Sequence, residues 1–186
     1  MNKRLLVIFG LLILGLLFAT TQLVPDQHEI TVNSSSPVPH GTSVTFSGAQ
    51  SYEWDVDGDG NIEHRGEAVT FSYDEPANYS MRVFYNNQSK IVPITATNTP
   101  PSVELSQSPT INTSQRLFVN AEEVTDGNGD NVSYEWDTDS DGTFDVNGVN
   151  TSISFNTTGE HRVRLRATDE HGASNTGELI VTVEEA

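Results

Sequence analysis

Ser51-Tyr52-Glu53-Trp54-Asp55-Val56-Asp57-Gly58-Asp59-Gly60 returns 82 residues later as Ser133-Tyr134-Glu135-Trp136-Asp137-Thr138-Asp139-Ser140-Asp141-Gly142. The register holds without a gap beyond this stretch. Glu63 aligns with Asp145, Phe71 with Ile153, Tyr73 with Phe155, Ala77 with Gly159 and Arg82 with Arg164. Agreement that long, in one register and including both tryptophans, reads as a duplication of one structural unit. Thr99-Pro100-Pro101-Ser102 separates the copies, because consecutive prolines resist both helix and central strand and make a short stiff connection. The expected organisation is an N-terminal segment at 1–27, a first unit at 28–98, a linker at 99–101 and a second unit at 102–186.

Within each copy the pattern is that of strands. Thr42-Ser43-Val44-Thr45-Phe46 alternates polar and apolar with period two. Met81-Arg82-Val83-Phe84-Tyr85, its counterpart Val163-Arg164-Leu165-Arg166-Ala167, and Leu179-Ile180-Val181-Thr182-Val183 behave alike. β-Branched and aromatic residues fill these runs, while Gly, Asn, Asp and Pro clusters punctuate them. Past Pro25 no helical spacing is sustained. The fold class is therefore all-β, with two tandem immunoglobulin-like β-sandwiches, each of about seven short strands in two sheets. Alternation places Tyr52 and Trp54 on one face and Glu53 and Asp55 on the other. Trp54 and Trp136 are the expected centres of the two cores.

The N-terminus reads differently. Met1 to Arg4 is short and basic, and Leu5 to Ala19 is unbroken apolar sequence, the pattern of an export signal. Carried on through Leu23 and Val24, it reaches the roughly 20 residues that a single hydrophobic helix needs to span a bilayer. Pro25 would end that helix. A cleavage site at Ala19-Thr20-Thr21 is weak, so a retained anchor is favoured, with a cleaved signal and a secreted product as the alternative. The expected location is the cell membrane, single-pass, with the C-terminal units outside.

Composition narrows the partners. Net charge is −17, from 26 acidic against 9 basic residues. That excludes nucleic acid, whose phosphates require a basic face. Acid excess with only two lysines, Lys3 and Lys90, suits a salt-adapted surface protein, plausibly archaeal. No cysteine is present, so disulfides, thiolate metal sites and thiol nucleophiles are excluded.

These residues resemble the polycystic kidney disease (PKD) repeat. Trp136-Asp137 enters an acidic turn. Gly159-Glu160-His161-Arg162-Val163-Arg164-Leu165 and Ala167-Thr168-Asp169-Glu170-His171-Gly172-Ala173 follow at the family's positions. The first copy departs, with Ala77 for the usual glycine and Tyr85-Asn86-Asn87-Gln88 for the usual Thr-Asp turn. The resemblance implies a non-catalytic extracellular spacer or adhesive unit that contacts other surface proteins or glycans. Two alternatives stay open: an anchored subunit of a larger envelope or filament-motor complex, and a secreted glycan-binding accessory module.

Both copies carry Asp-x-Asp-x-Asp-Gly followed by a further acid. Asp55, Asp57, Asp59, Asn61 and Glu63 form one candidate calcium set, and Asp137, Asp139, Asp141, Thr143 and Asp145 the other. Acids at alternate positions of a tight loop converge hard oxygen donors, with a backbone carbonyl of Asn61 or Thr143 as a further ligand. Gly66 and Gly148 occupy the position where an EF-hand places its bidentate glutamate, so these are not EF-hands. The competing reading is a solvated turn that uses Asp and Gly for their turn chemistry. Asp126-Gly127-Asn128-Gly129-Asp130 reads as a second acidic turn. Seven Asn-x-Ser/Thr sequons occur, at Asn33, Asn78, Asn87, Asn112, Asn131, Asn150 and Asn156. Asn150, Asn156, Asn112 and Asn78 are the candidate glycosylation sites. His64 is expected in solvent and His161 partly buried in a strand. No hydrolase, zincin or phosphate-loop pattern is present, and no catalytic residue is assigned.

Overall fold

The computed structural model describes Ile30, the backbone of Val32–Asn33, and residues 36–186 apart from 106. The expected N-terminal helix at 1–27 lies outside the described residues. Every regular element among the described residues is a strand. No helix among them is long and apolar enough to cross a membrane.

The first half holds β1 (Val32–Asn33), β2 (Val38–Pro39), β3 (Ser43–Asp55), β4 (His64–Ser72), β5 (Asn78–Tyr85) and β6 (Gln88–Thr97). They hydrogen-bond in the order β1-β3-β5-β6-β2, with β4 also paired to β3. The expected seven strands become six because two of them fuse into β3. Its first part, Ser43–Ser47, pairs with Ala68–Ser72, and after a register shift Tyr52–Trp54 pairs with His64–Gly66. Glu53–Asp55 also pairs with Arg82–Phe84 of β5. The ladder shifts register between Ser47 and Tyr52, a bulge in place of a turn.

The second half holds β7 (Thr110–Asn112), β8 (Leu117–Asn120), β9 (Val132–Asp137), β10 (Val146–Asn147), β11 (Asn150–Ile153), β12 (Gly159–Asp169) and β13 (Ser174–Glu184). Five pair in the order β10-β9-β12-β13-β7, and β11 with β8 makes the facing two-stranded sheet. In each half an early strand runs parallel to the last one: β2 beside β6 and β7 beside β13.

Two separate clusters of buried residues form. One gathers Phe46, Tyr52, Trp54, Tyr73, Met81, Val83 and Ile94, among others. The other gathers Ile111, Trp136, Ile153, Phe155, Val163, Leu165 and Val181. Trp54 and Trp136 are each 0% exposed. Each indole N–H donates to a glycine carbonyl 12 residues on, Trp54 to Gly66 and Trp136 to Gly148, both at 2.9 Å. Each tryptophan carbonyl then accepts the amide of the returning strand, from Glu63 and from Asp145, again at 2.9 Å. The polar atom of the largest apolar side chain is thus satisfied inside the core, and full burial carries no orphaned donor.

The halves meet through the turn after β2. Asn128 Nδ2 donates to the His40 carbonyl at 2.8 Å, and the Thr99 amide donates to Asn128 Oδ1 at 2.8 Å. Gly41 sits at φ +67°, where a Cβ would lie 2.3 Å from the Asn128 carbonyl oxygen. Only glycine combines that backbone angle with that approach.

Replacing Trp136 by alanine removes both the packing and the Gly148 bond. We expect the second half to lose about 3–5 kcal/mol of stability, read by denaturant unfolding, and an unchanged midpoint would contradict the core assignment. Tyr73 supplies a second check. Its hydroxyl donates to the Val56 carbonyl at 2.9 Å. Burial, with the nearby Tyr79 and Asp57, pushes its phenol up to about 12. Folding favours the neutral form, so this contribution is complete below the ordinary phenol value and is lost as pH rises through about 12. Tyr73→Phe should therefore delete the last-ionising component of the alkaline tyrosine absorbance titration, and an unaltered final step would contradict the placement.

Candidate functional site: two acidic loops and a histidine-lined junction

The acidic loops leave the core directly after the tryptophans. Asp55 and Asp137, expected on the outward face of their strands, are both 0% exposed because the loop folds over them. In the first loop Asp55 Oδ1 accepts the Gly58 amide at 2.7 Å and Oδ2 the Gly60 amide at 3.2 Å. Asp57 accepts the Asp59 amide at 3.0 Å, and Asp59 accepts both the amide and the side-chain N–H of Asn61 at 2.7 Å. Glu63 reaches back to the Val56 amide at 2.7 Å. Ligand atoms of Asp55, Asp57, Asp59 and Glu63 all lie within 4.8 Å of one another.

The second loop gathers Asp137, Asp139 and Asp141 in the same way, but Asp145 lies outside the set. Aspartate is one methylene shorter than the Glu63 it replaces. The charges of its neighbours still reach it: partial desolvation, then Asp141, Asp139 and Asp137, raise its carboxyl above the ordinary value. Asp137 Oδ2 accepts the Gly142 amide at 3.2 Å, while its buried Oδ1 has no hydrogen-bond partner. Thr143 donates its amide to Asp141 at 2.7 Å. A second substitution separates the loops at the position of Gly58. At Gly58 an added Cβ would lie 2.6 Å from the Ser80 carbonyl oxygen. Ser140 takes that place in the second loop and donates its hydroxyl to the Arg162 carbonyl at 3.1 Å. The amide bond that closes over Asp55 has no counterpart over Asp137 Oδ1.

Asn78, Asn112, Asn150 and Asn156 are all exposed. His64 is exposed. His161 is half-buried, stacked on Phe155 with ring centroids 4.2 Å apart.

At the junction, the second acidic turn, residues 126–130, converges with residues to which sequence reading assigned no functional role. Asp126 Oδ1 accepts the amides of Asn128, Gly129 and Asp130 at 2.8, 3.0 and 3.2 Å. Asp169 accepts Asn98 Nδ2 at 2.8 Å and the amides of His171 and Ala173 at 3.0 and 2.8 Å. Burial alone would raise the Asp169 carboxyl, but these bonds hold it below its ordinary value. His40, 1% exposed, shares its Nε2 proton with Asn98 Oδ1 at 2.9 Å. Burial would lower its pKa, yet Asn98, Asp130, the Asp74 backbone carbonyl and Asp126 together raise it. Sequence reading could not assemble this group, since the His40–Asn128 bond alone joins residues 88 positions apart.

Comparison with known proteins places this geometry. No curated protein matches the chain. Among solved structures, the fibronectin(III)-like modules of Clostridium thermocellum CbhA are similar at 12% identity and TM-score 0.41, covering 85% of this chain and 95% of that one. The DIP-gamma IG1+IG2 structure is similar at 10% identity and TM-score 0.39, covering 85% and 98%. The insect immune protein hemolin follows at 17% identity and TM-score 0.38, covering 84% and 47%. The PKD domain family model matches residues 98–183. The match begins at the junction and excludes the first half, where Ala77 and the Tyr85–Gln88 turn depart from the pattern. With its Trp-centred sandwich, acidic turn and Asp169 corner, the second half of this chain is similar to a PKD domain.

Proposed function

We propose that the chain is a non-catalytic extracellular module with a structural or adhesive role at the cell surface. The observation that carries this reading is the PKD match over residues 98–183. PKD domains are typical extracellular adhesion modules and generally non-catalytic. The duplication at an offset of 82 extends the assignment to residues 28–98 as a diverged PKD-type copy. The basic-apolar leader is the export signal or anchor, and the contacts are other surface proteins or glycans. Exposed Asn78, Asn112, Asn150 and Asn156 are the glycan acceptors. A net charge of −17 suits a salt-rich exterior.

Calcium belongs to the same reading. The orphaned Oδ1 of Asp137, buried beside Asp139 and Asp141, is what a hard cation would satisfy. The first loop has already spent both Asp55 oxygens on its own amides, so the second loop is the stronger site. All ligands are oxygens, and affinity should be on the order of 10⁻⁴–10⁻³ M, as in extracellular modules.

After chelator treatment, calorimetric titration with Ca²⁺ should give a binding heat. Ser140→Gly, which removes the hydroxyl held by the Arg162 carbonyl and frees the residue-140 amide to turn onto Asp137 as Gly58 does onto Asp55, should weaken it, and absence of heat in the parent chain would retire the calcium assignment. Fractionation of the native protein, with N-terminal sequencing and mass measurement, tests the wider reading. Recovery in the cell envelope or medium is expected, and a cytoplasmic, unexported product would overturn it.

A further inference from the structure

We propose that His40, Asp130 and His171 form a transition-metal site, with zinc the cation their chemistry suits, that clamps the two halves of the chain together. His40 comes from the turn after β2, Asp130 from the acidic turn ahead of β9, and His171 from the turn between β12 and β13. Their ligand atoms lie within 4.8 Å of one another. His40 Nε2 is 3.2 Å from Asp130 Oδ2, and His171 Nε2 is 3.7 Å from Asp130 Oδ1. Ligands at about 2.1 Å around a tetrahedral zinc stand about 3.4 Å apart, and the two imidazole nitrogens lie on either side of that distance from the two oxygens of Asp130.

The second, independent observation is an unsatisfied oxygen. The Asp130 side chain is 8% exposed, and its Oδ2, although within ion-pair reach of His40, has no hydrogen-bond partner. The single proton on His40 Nε2 is directed to Asn98 instead. A buried carboxylate oxygen left without a donor is costly, and a bound cation removes that cost. His40 is similarly over-supplied with acceptors. Asn98 Oδ1 and Asp130 Oδ2 face Nε2, while Nδ1 is buried without a partner. A metal on Nε2 would leave the proton on Nδ1.

Glu75 Oε2, on a largely exposed side chain, is 3.8 Å from His171 Nδ1, beyond hydrogen-bond distance, on the ring nitrogen away from Asp130. The two rings stand edge to face, with centroids 4.8 Å apart and an interplanar angle of 85°. Next to the site, Asp126 Oδ1 and Asp169 are engaged by backbone amides and Asn98, while the buried Asp126 Oδ2 has no partner, and Asp126 and Asp169 lie close to Asp130. Two imidazoles and one carboxylate select zinc-like cations over calcium, which takes oxygen ligands. Three protein ligands leave one position for water. The site is separate from the acidic loops, and its residues come from both sides of the linker.

The test is calorimetric titration of the full chain with Zn²⁺ in a saturating excess of Ca²⁺, with Co²⁺ as a spectroscopic stand-in. One equivalent should bind, giving the visible absorption of tetrahedral Co²⁺. His40→Gln and His171→Gln should each weaken binding by more than about ten-fold, whereas exposed His64→Gln should leave it unchanged. His171 lies in a turn at 19% side-chain exposure, so His171→Gln keeps the test meaningful should His40→Gln fail to fold. Absence of Zn²⁺ binding, binding indifferent to His171→Gln, or displacement of Zn²⁺ by Ca²⁺ would each overturn the proposal.

Discussion

The arrangement rests on one hydrogen bond made twice, from a tryptophan indole N–H to the carbonyl of a glycine 12 residues later. An indole is the largest apolar group available to a disulfide-free core, and its single polar atom would be an expensive orphan if left unbonded there. Here that atom ties the strand bearing the tryptophan to the strand that returns after the acidic loop. The tryptophan carbonyl binds the same returning segment through Glu63 or Asp145. Core closure and loop position are therefore one constraint. The acids gather because the chain must come back within reach of the indole.

That constraint leaves the two copies free to diverge in the loops they hold. Tyr73 tethers the first loop through Val56, and the aligned residue in the second copy, Phe155, has no hydroxyl to do so. Gly58 lets an amide fold onto Asp55, while Ser140 turns its hydroxyl to Arg162 and leaves Asp137 Oδ1 open. Glu63 reaches its neighbour's amide, and the shorter Asp145 falls outside the carboxylate set. Three substitutions convert a loop that satisfies itself into one with a vacant buried oxygen. The exposed arginine–glutamate pairs on β12, β13 and β9 add little, since solvent screens them.

Much of the fold was legible in the sequence. Period-two runs such as 163–167 and 179–183 lie in strands, and the duplication marked the residues that hold each core. The failures have physical causes. The continuity of β3 was hidden because the register shift between Ser47 and Tyr52 needs no turn residue. Burial of Asp55 and Asp137 was hidden because alternation describes a strand, not a loop that folds back over it. The junction was invisible for a different reason. His40 and Asn98 carry no local pattern, the motifs holding Asn128, Asp169 and His171 do not point to them, and only the packing of one half on the other brings the five together.

The most direct test of the central claim is hydrogen exchange of the two indole N–H groups, followed by NMR after transfer to deuterated water. Two indole resonances, both protected far beyond the rate of free tryptophan, are predicted. A resonance that vanishes within the dead time would show that its indole is not bonded inside a closed core, and the account of that half would fail.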